Sequence, residues 1–311
     1  MTTEWTAEHM RSVFESVKNW GRWGEEDEAG ALNLITPEKR REAAGAIRAG
    51  IAVSCARELA VRPAADNPHP ALHMMIQGGD DCVIPGVGLE ATMDFVGVAF
   101  HGMATTHIDA LCHVFVDEQM YNGFAASEVK STGARRGSIM CAKDGIVSRG
   151  VLLDIAQVKG QPWLEPGTGI HVADLELAER EHGVEVSEGD ILLVATGRDA
   201  RRAEHGPWVP FGDGMAGLLP ECIPWLHERG IAVLGSDGVS DVFPGPAIEG
   251  WAMPIHQCTL VAMGVHLLDN LKLDDLCAAC SEQAQYDFQF TVAPLRVERG
   301  TGSPCNPIAV L

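Results

Sequence analysis

Two features of the sequence predict an α/β protein. Short apolar runs bounded by glycine or an acidic residue recur at Gly150–Ile155, Gly189–Ala195 and Gly230–Gly235, as they do in strands buried on both faces. Between them lie stretches of helical pattern that stop at glycine, Asp174–His182 before Gly183 and Pro220–Arg229 before Gly230, with each glycine placed as a C-cap. The repeated order of helix, glycine and strand favours an α/β architecture.

Along the chain, the first ten residues, MTTEWTAEHM, hold two glutamates, no lysine and no apolar stretch behind them. Neither a signal peptide nor a transit peptide is read there, and a cytoplasmic location is expected. Thr36 as N-cap, Pro37 at the first helical position and Gly50 as the stop frame a helix. From Ile51 to about Glu90, Pro63, Asn67, Pro68, Pro70, Gly78, Gly79 and Pro85 break the periodicity and predict loops with short strands. Ala91 to Phe100 reads as a strand running straight into His101-Gly102. Near the C-terminus Tyr286, Phe288, Phe290 and Val292 share one parity, which predicts antiparallel pairing over Gln285–Arg296. No internal repeat and no linker divides the chain, so a single domain over residues 1–311 is expected, with an N-terminal helical elaboration of about residues 1–50.

Composition narrows the function. The 311 residues are 46% apolar and 21% charged, as in ordinary globular proteins. The net charge of −20 repels nucleic-acid phosphates and anionic membrane surfaces, so neither is expected as a partner. The longest apolar stretches, such as Leu260–Leu268 with His266 inside it, fall far short of the ~20 residues that cross a bilayer. Nine scattered cysteines, an odd number, predict reduced thiols. Cys277 and Cys280 form a C-x-x-C inside a helical pattern, where positions three apart share a face, and are read as packing residues. Cys112 is read the same way.

The chemistry concentrates in His101-Gly-Met-Ala-Thr-Thr-His107-Ile-Asp109-Ala-Leu-Cys-His113. Imidazole and carboxylate together suit a first-row metal, and a buried polar network is the alternative. His107 and Asp109 have one parity and project from one face of a strand. His113 shares it, but six extended residues span about 20 Å, so the chain must turn after Asp109 for His113 to join them.

These residues resemble the H-x-G-T-H-x-D-x-P-x-H signature of the cyclase family, which includes bacterial kynurenine formamidase and isatin hydrolase. Arg149–Asp154, Gly189–Leu193, Gly235–Asp241, Pro254–His256 and Arg299–Pro304 are similar to further family blocks, so the likeness runs from about Trp23 to the C-terminus. It implies a swivelling β/β/α fold with mixed sheets and flanking helices, and a divalent metal, Zn²⁺ or Mn²⁺. It also implies hydrolysis of a small amide, cyclic amide or lactone by metal-activated water. A metal-dependent lyase or cyclase and a non-catalytic small-molecule-binding homologue are the alternatives.

By the same resemblance His107, Asp109 and His256 are metal ligands, and Asp269 stands nearest to the family's later glutamate. The signature's first histidine is replaced by Met103. His101 lies two positions away, and whether it substitutes is left open. His113 holds the proton-transfer position, and Leu111 replaces the signature's proline. Tyr121, Asn122 and His101 are candidate substrate contacts, with a simple turn at Asn122-Gly123 the alternative; His69 and His73 are read first as a solvated loop and second as lining the mouth. A small-molecule substrate and a homodimer or homotetramer are expected. Gly300-Thr-Gly-Ser-Pro304 precedes no helix, so phosphate binding is not expected there.

Overall fold

A computed structural model describes residues 5–80, 86 and 88–311. Residues 1–4 of the N-terminal reading, Cys82 and Pro85 lie outside the described residues. In chain order the strands are Ala52–Ser54 (β1), Leu72–Gln77 (β2), Met93–Gly97 (β3), His107–Asp109 (β4), Val129–Lys130 (β5), Gly133–Ala134 (β6), Ile146–Asp154 (β7), Gly169–Ile170 (β8), Ile191–Ala195 (β9), Gly217–Leu218 (β10), Val233–Ser236 (β11), His266–Asp269 (β12), Asp287–Val292 (β13), Gly302–Pro304 (β14) and Ile308–Val310 (β15). Nine of them form one mixed sheet in the order β1-β15-β13-β7-β9-β11-β12-β4-β14.

The three runs read from sequence become its centre. β7, β9, β11 and β12 are mutually parallel. Their alternate residues enter two cores: Val151, Leu153, Leu192 and Val194 face one side, and Leu152, Ile191, Leu193 and Ala195 the other. Helices Val172–His182 and Cys222–Arg229 cover the first face, while Asp274–Gln283 supplies Leu276 and Cys280 to the second. Gly183 and Gly230 both adopt left-handed C-cap conformations, as their placement predicts. β13 pairs antiparallel with β7 and β15. The α/β expectation is met by a mixed sheet flanked by helices.

Two local expectations are corrected. The helix capped by Thr36 spans Pro37–Gly45 rather than reaching Gly50. The N–H groups of Ala49, Gly50 and Ile51 are instead drawn to the carbonyl of Leu311, which starts the pairing of β1 with β15. The strand read over Ala91–Phe100 shortens to β3, which among the described residues pairs with β2 alone, and residues 98–106 are irregular. The apolar run Leu260–Leu268 divides between a π-helix, Gln257–Met263, and β12, with left-handed Gly264 between them. Cys277 and Cys280 lie on the helix Asp274–Gln283, and burial pushes both thiols up. Among the described residues the eight cysteines are free, and no helix is long and apolar enough to cross a membrane.

β12 ends with Asp269 directly opposite His107, the first residue of β4, and β14 pairs on β4's other side. The glycine-rich Gly300–Pro304 therefore supplies a strand that backs the histidine segment. The C-terminal ends of parallel strands are where open α/β sheets bind ligands, and the histidine segment gathers beside that end of β12.

Candidate metal centre

β4 presents His107 and Asp109 fully buried, and after it the chain turns, the N–H of His113 bonding the carbonyl of Ala110. That turn brings His113 Nε2 to 4.0 Å from Asp109 Oδ2. Around the same carboxylate stand His101, with Nδ1 2.9 Å from Oδ1, and His107, with Nε2 3.4 Å from Oδ1. His256, from the short helix Pro254–His256, places Nε2 3.3 Å from Asp269 Oδ2 and 3.9 Å from Asp109 Oδ2. Two three-donor groups sharing Asp109 result: His101, Asp109 and His113, and His107, Asp109 and Asp269. Within each the donor atoms lie within 4.8 Å of one another.

Three of the imidazoles have their second nitrogen held. His107 Nδ1 donates to the carbonyl of Thr105 at 2.8 Å, and His256 Nδ1 to Asp241 Oδ2 at 2.6 Å. His101 Nε2 meets Thr301 Oγ1 at 3.1 Å. Asp241 also accepts the N–H groups of Ile255 and His256, which locks the helix start as well as the ring. His113 has no such partner among the described residues.

Both oxygens of Asp109 and Oδ1 of Asp269 are buried and accept no hydrogen bond. Orphaned buried carboxylate oxygens are costly, and a cation between them and the converging imidazoles satisfies them together. Imidazole and carboxylate donors suit a first-row divalent metal, so the residues present fit one.

The carboxylates and imidazoles bias one another's ionisation. Burial works against ionised Asp109, but the adjoining His101 and His107 outweigh it and hold the carboxyl well below its usual range. Burial also opposes protonation of His107 and His256. For His107 the neighbouring Asp109 prevails, and for His256 Asp269 and Asp241 prevail, so both rings are raised. Burial wins at His113, which is lowered.

The irregular segment from His101 to Thr105 is held by side chains. Asn270 Nδ2 donates to the carbonyls of Gly102 and Thr105, and Arg198, itself buried, donates to the carbonyl of Met103 at 2.6 Å and to Asn270 Oδ1 at 2.6 Å. Beside this segment opens a cleft of about 190 Å³ lined by His69, Phe100, His101, Met103, Val209 and Phe211 among others.

The family model described as "Putative cyclase" matches residues 43–241. The chain belongs to the cyclase family. The matched span takes in His107, Asp109, His113 and Asp241 and stops short of His256 and Asp269. Among relatives, the kynurenine formamidase of Bordetella petrii is 28% identical over 155 residues, 50% of this chain and 66% of that protein. That of Bacillus cereus is 29% identical over 108 residues, 35% of this chain and 46% of that protein. The chain thus spans two thirds or less of these curated relatives. A crystal structure described as a novel cyclase aligns at TM-score 0.85 and 30% identity over 96% of this chain and 99% of that one. Isatin hydrolase A from Labrenzia aggregata, bound to benzyl benzoate, shares the fold at TM-score 0.60 and 21% identity over 86% and 94%.

In this cyclase-family chain the fold brings His101, His107, Asp109, His113, His256 and Asp269 together. Tyr121 and Asn122, the other candidate substrate contacts, are engaged with the N-terminal segment. Tyr121 is buried and its hydroxyl donates to Asp27. Asn122, at left-handed φ 61°, binds the N-terminal segment through Gly21, Gly24, Glu25 and Asp27. His69 lines the cleft, whereas His73 pairs with Asp94 on the β2–β3 hairpin. Sequence reasoning missed the supporting roles of Asp241, Thr301, Arg198 and Asn270. The Ser-Asp-Gly-Val-Ser-Asp241 run at the end of β11 carried a local signal, a polar cluster at a strand end.

Proposed function

We propose that this member of the cyclase family is a metal-dependent hydrolase of a small, uncharged or weakly charged amide, cyclic amide or lactone. His107, Asp109, His256 and Asp269 hold Zn²⁺ or Mn²⁺, and His113 moves the proton. The observation that carries this reading is the set of buried carboxylate oxygens without hydrogen bonds, facing imidazoles whose far nitrogens are pinned. When bound there, a divalent ion supplies polarisation of a carbonyl and activation of water near neutral pH.

The rest falls to the chain's own residues. His113, neutral and without a ring partner, takes a proton from water on Nε2 and returns it to the leaving nitrogen or oxygen. Asp241 and the Thr105 carbonyl fix which nitrogens of His256 and His107 face the centre. The apolar cleft walls, Phe100, Val209 and Phe211, receive the substrate's apolar part. The kynurenine formamidase and isatin hydrolase names of the relatives support C–N bond hydrolysis.

The chain acts as one domain with an N-terminal elaboration, in the cytoplasm, as a homodimer or homotetramer. The β2–β3 hairpin supports assembly: Leu72, Met74, Met75, Ile76, Met93, Phe95 and Val96 are all exposed on it, and an isolated two-stranded ribbon is marginal in water.

Formanilides, cyclic imides and lactones screened against metal-stripped and reconstituted protein in ¹⁸O-water test the function. Turnover that needs the metal and places one labelled oxygen in the product is expected. Turnover indifferent to chelation, or ligand bound and recovered unchanged, contradicts it.

A further inference from the structure

We infer that His101 ligates the metal through Nδ1, completing a set of three protein-pinned imidazoles with His107 and His256; this rests on the reading of the site as a metal centre. Met103 holds the position, four before His107, where the signature carries a histidine. The segment between His101 and His107 is bent rather than extended, and the bend returns His101 to Asp109 from two residues further away.

Two observations support it. His101 Nδ1 is inaccessible and makes no hydrogen bond, although it lies 2.9 Å from an equally orphaned oxygen, Asp109 Oδ1. The two face each other without a hydrogen-bonding alignment, as two ligands of one ion do. The far nitrogen is tied to Thr301 Oγ1, the same arrangement that Thr105 and Asp241 give the other two rings, and metal-bound histidines have such a partner.

The scaffold around the segment is also built for this position. Arg198 and Asn270 occupy the carbonyls of Gly102, Met103 and Thr105. Asn270 directly follows Asp269, and Thr106 Oγ1 donates to its carbonyl, so the bend that carries His101 is fastened to the strand end that carries Asp269. At position 302 a Cβ would lie 2.6 Å from the carbonyl oxygen of Ile108 and 2.9 Å from His101 Cε1. Only glycine leaves room for the ring against β14.

The test is a Co²⁺ titration of metal-stripped full-length protein, read by the visible absorption of the bound ion and by competition with a chromophoric chelator. Wild type, His101→Ala, Met103→Ala and Thr301→Val are compared. His101→Ala should weaken Co²⁺ by at least ~100-fold and alter its absorption bands, because even partners of ligands are worth about 10–100-fold. Thr301→Val should lose roughly 10-fold, and Met103→Ala should match wild type. Thr301→Val carries the test where His101→Ala does not fold, and unchanged affinity there overturns the inference. Wild-type binding that both His101→Ala and Thr301→Val leave unchanged overturns it while sparing the metal centre. A wild-type chain that binds no Co²⁺, Zn²⁺ or Mn²⁺ overturns both.

Discussion

His101 and His113 lie face to face, ring centroids 3.8 Å apart and planes within 1°, yet only His101 has a nitrogen tied by the protein. The two rings share a surface and differ in freedom. A pinned ring suits ligation, and a free ring that burial keeps neutral suits proton transfer.

His113→Ala should therefore retain near-normal metal content and lose about 10²–10⁴-fold in kcat, the usual contribution of general acid–base catalysis. Metal analysis beside steady-state kinetics checks this. A metal-poor variant rescued by excess metal would make His113 a ligand instead.

Asp241→Asn should weaken metal binding by about 10–100-fold through His256, because the amide cannot accept both the ring N–H and the backbone N–H groups now shared by the carboxylate. Chelator competition measures it. Unchanged affinity would remove Asp241 from the support of the site.

Much of this architecture was legible in the sequence. β7, β9 and β11 announced themselves because strands buried on both faces must be apolar throughout, and Gly183 and Gly230 because left-handed C-caps favour glycine. His107 and Asp109 were legible through strand parity. Contacts between distant segments were not. His256 and Asp269 were found only through the resemblance to the cyclase family, since nothing near Asp109 in the sequence points to either. Arg198 reads locally as one more charge of an arginine-rich helix, and only the fold buries it beneath Met103. The contacts of Tyr121 and Asn122 with Asp27 and its neighbours were equally beyond a local reading.

The exposed hairpin leads to a prediction about assembly. Light scattering on the wild type should give a multiple of the 33.3 kDa chain mass, and the pair Ile76→Lys and Phe95→Lys should shift it towards monomer by placing charge on the exposed apolar ribbon. A wild type that is already monomeric at micromolar concentration would contradict it.

His266 makes stability depend on pH. The ring is fully buried, and burial lowers it to about 4, so the folded chain keeps it neutral while the unfolded chain protonates it near 6.5. Stability from this group is present above about pH 6.5 and is lost as pH falls towards 4, amounting to about 2 kcal/mol between pH 7 and 5. Urea unfolding of wild type and His266→Asn at both pH values should show a smaller decline in the variant. Equal declines would refute the assignment.

On the proposed function, Asp109 organises a metal centre. Metal content per chain, measured by plasma mass spectrometry on wild type and Asp109→Ala after identical reconstitution with Zn²⁺ or Mn²⁺ and desalting, tests it most directly. Stoichiometric metal in the wild type and its near-complete loss in Asp109→Ala, with the fold retained by circular dichroism, is the predicted result. Undiminished metal in the variant would contradict the claim.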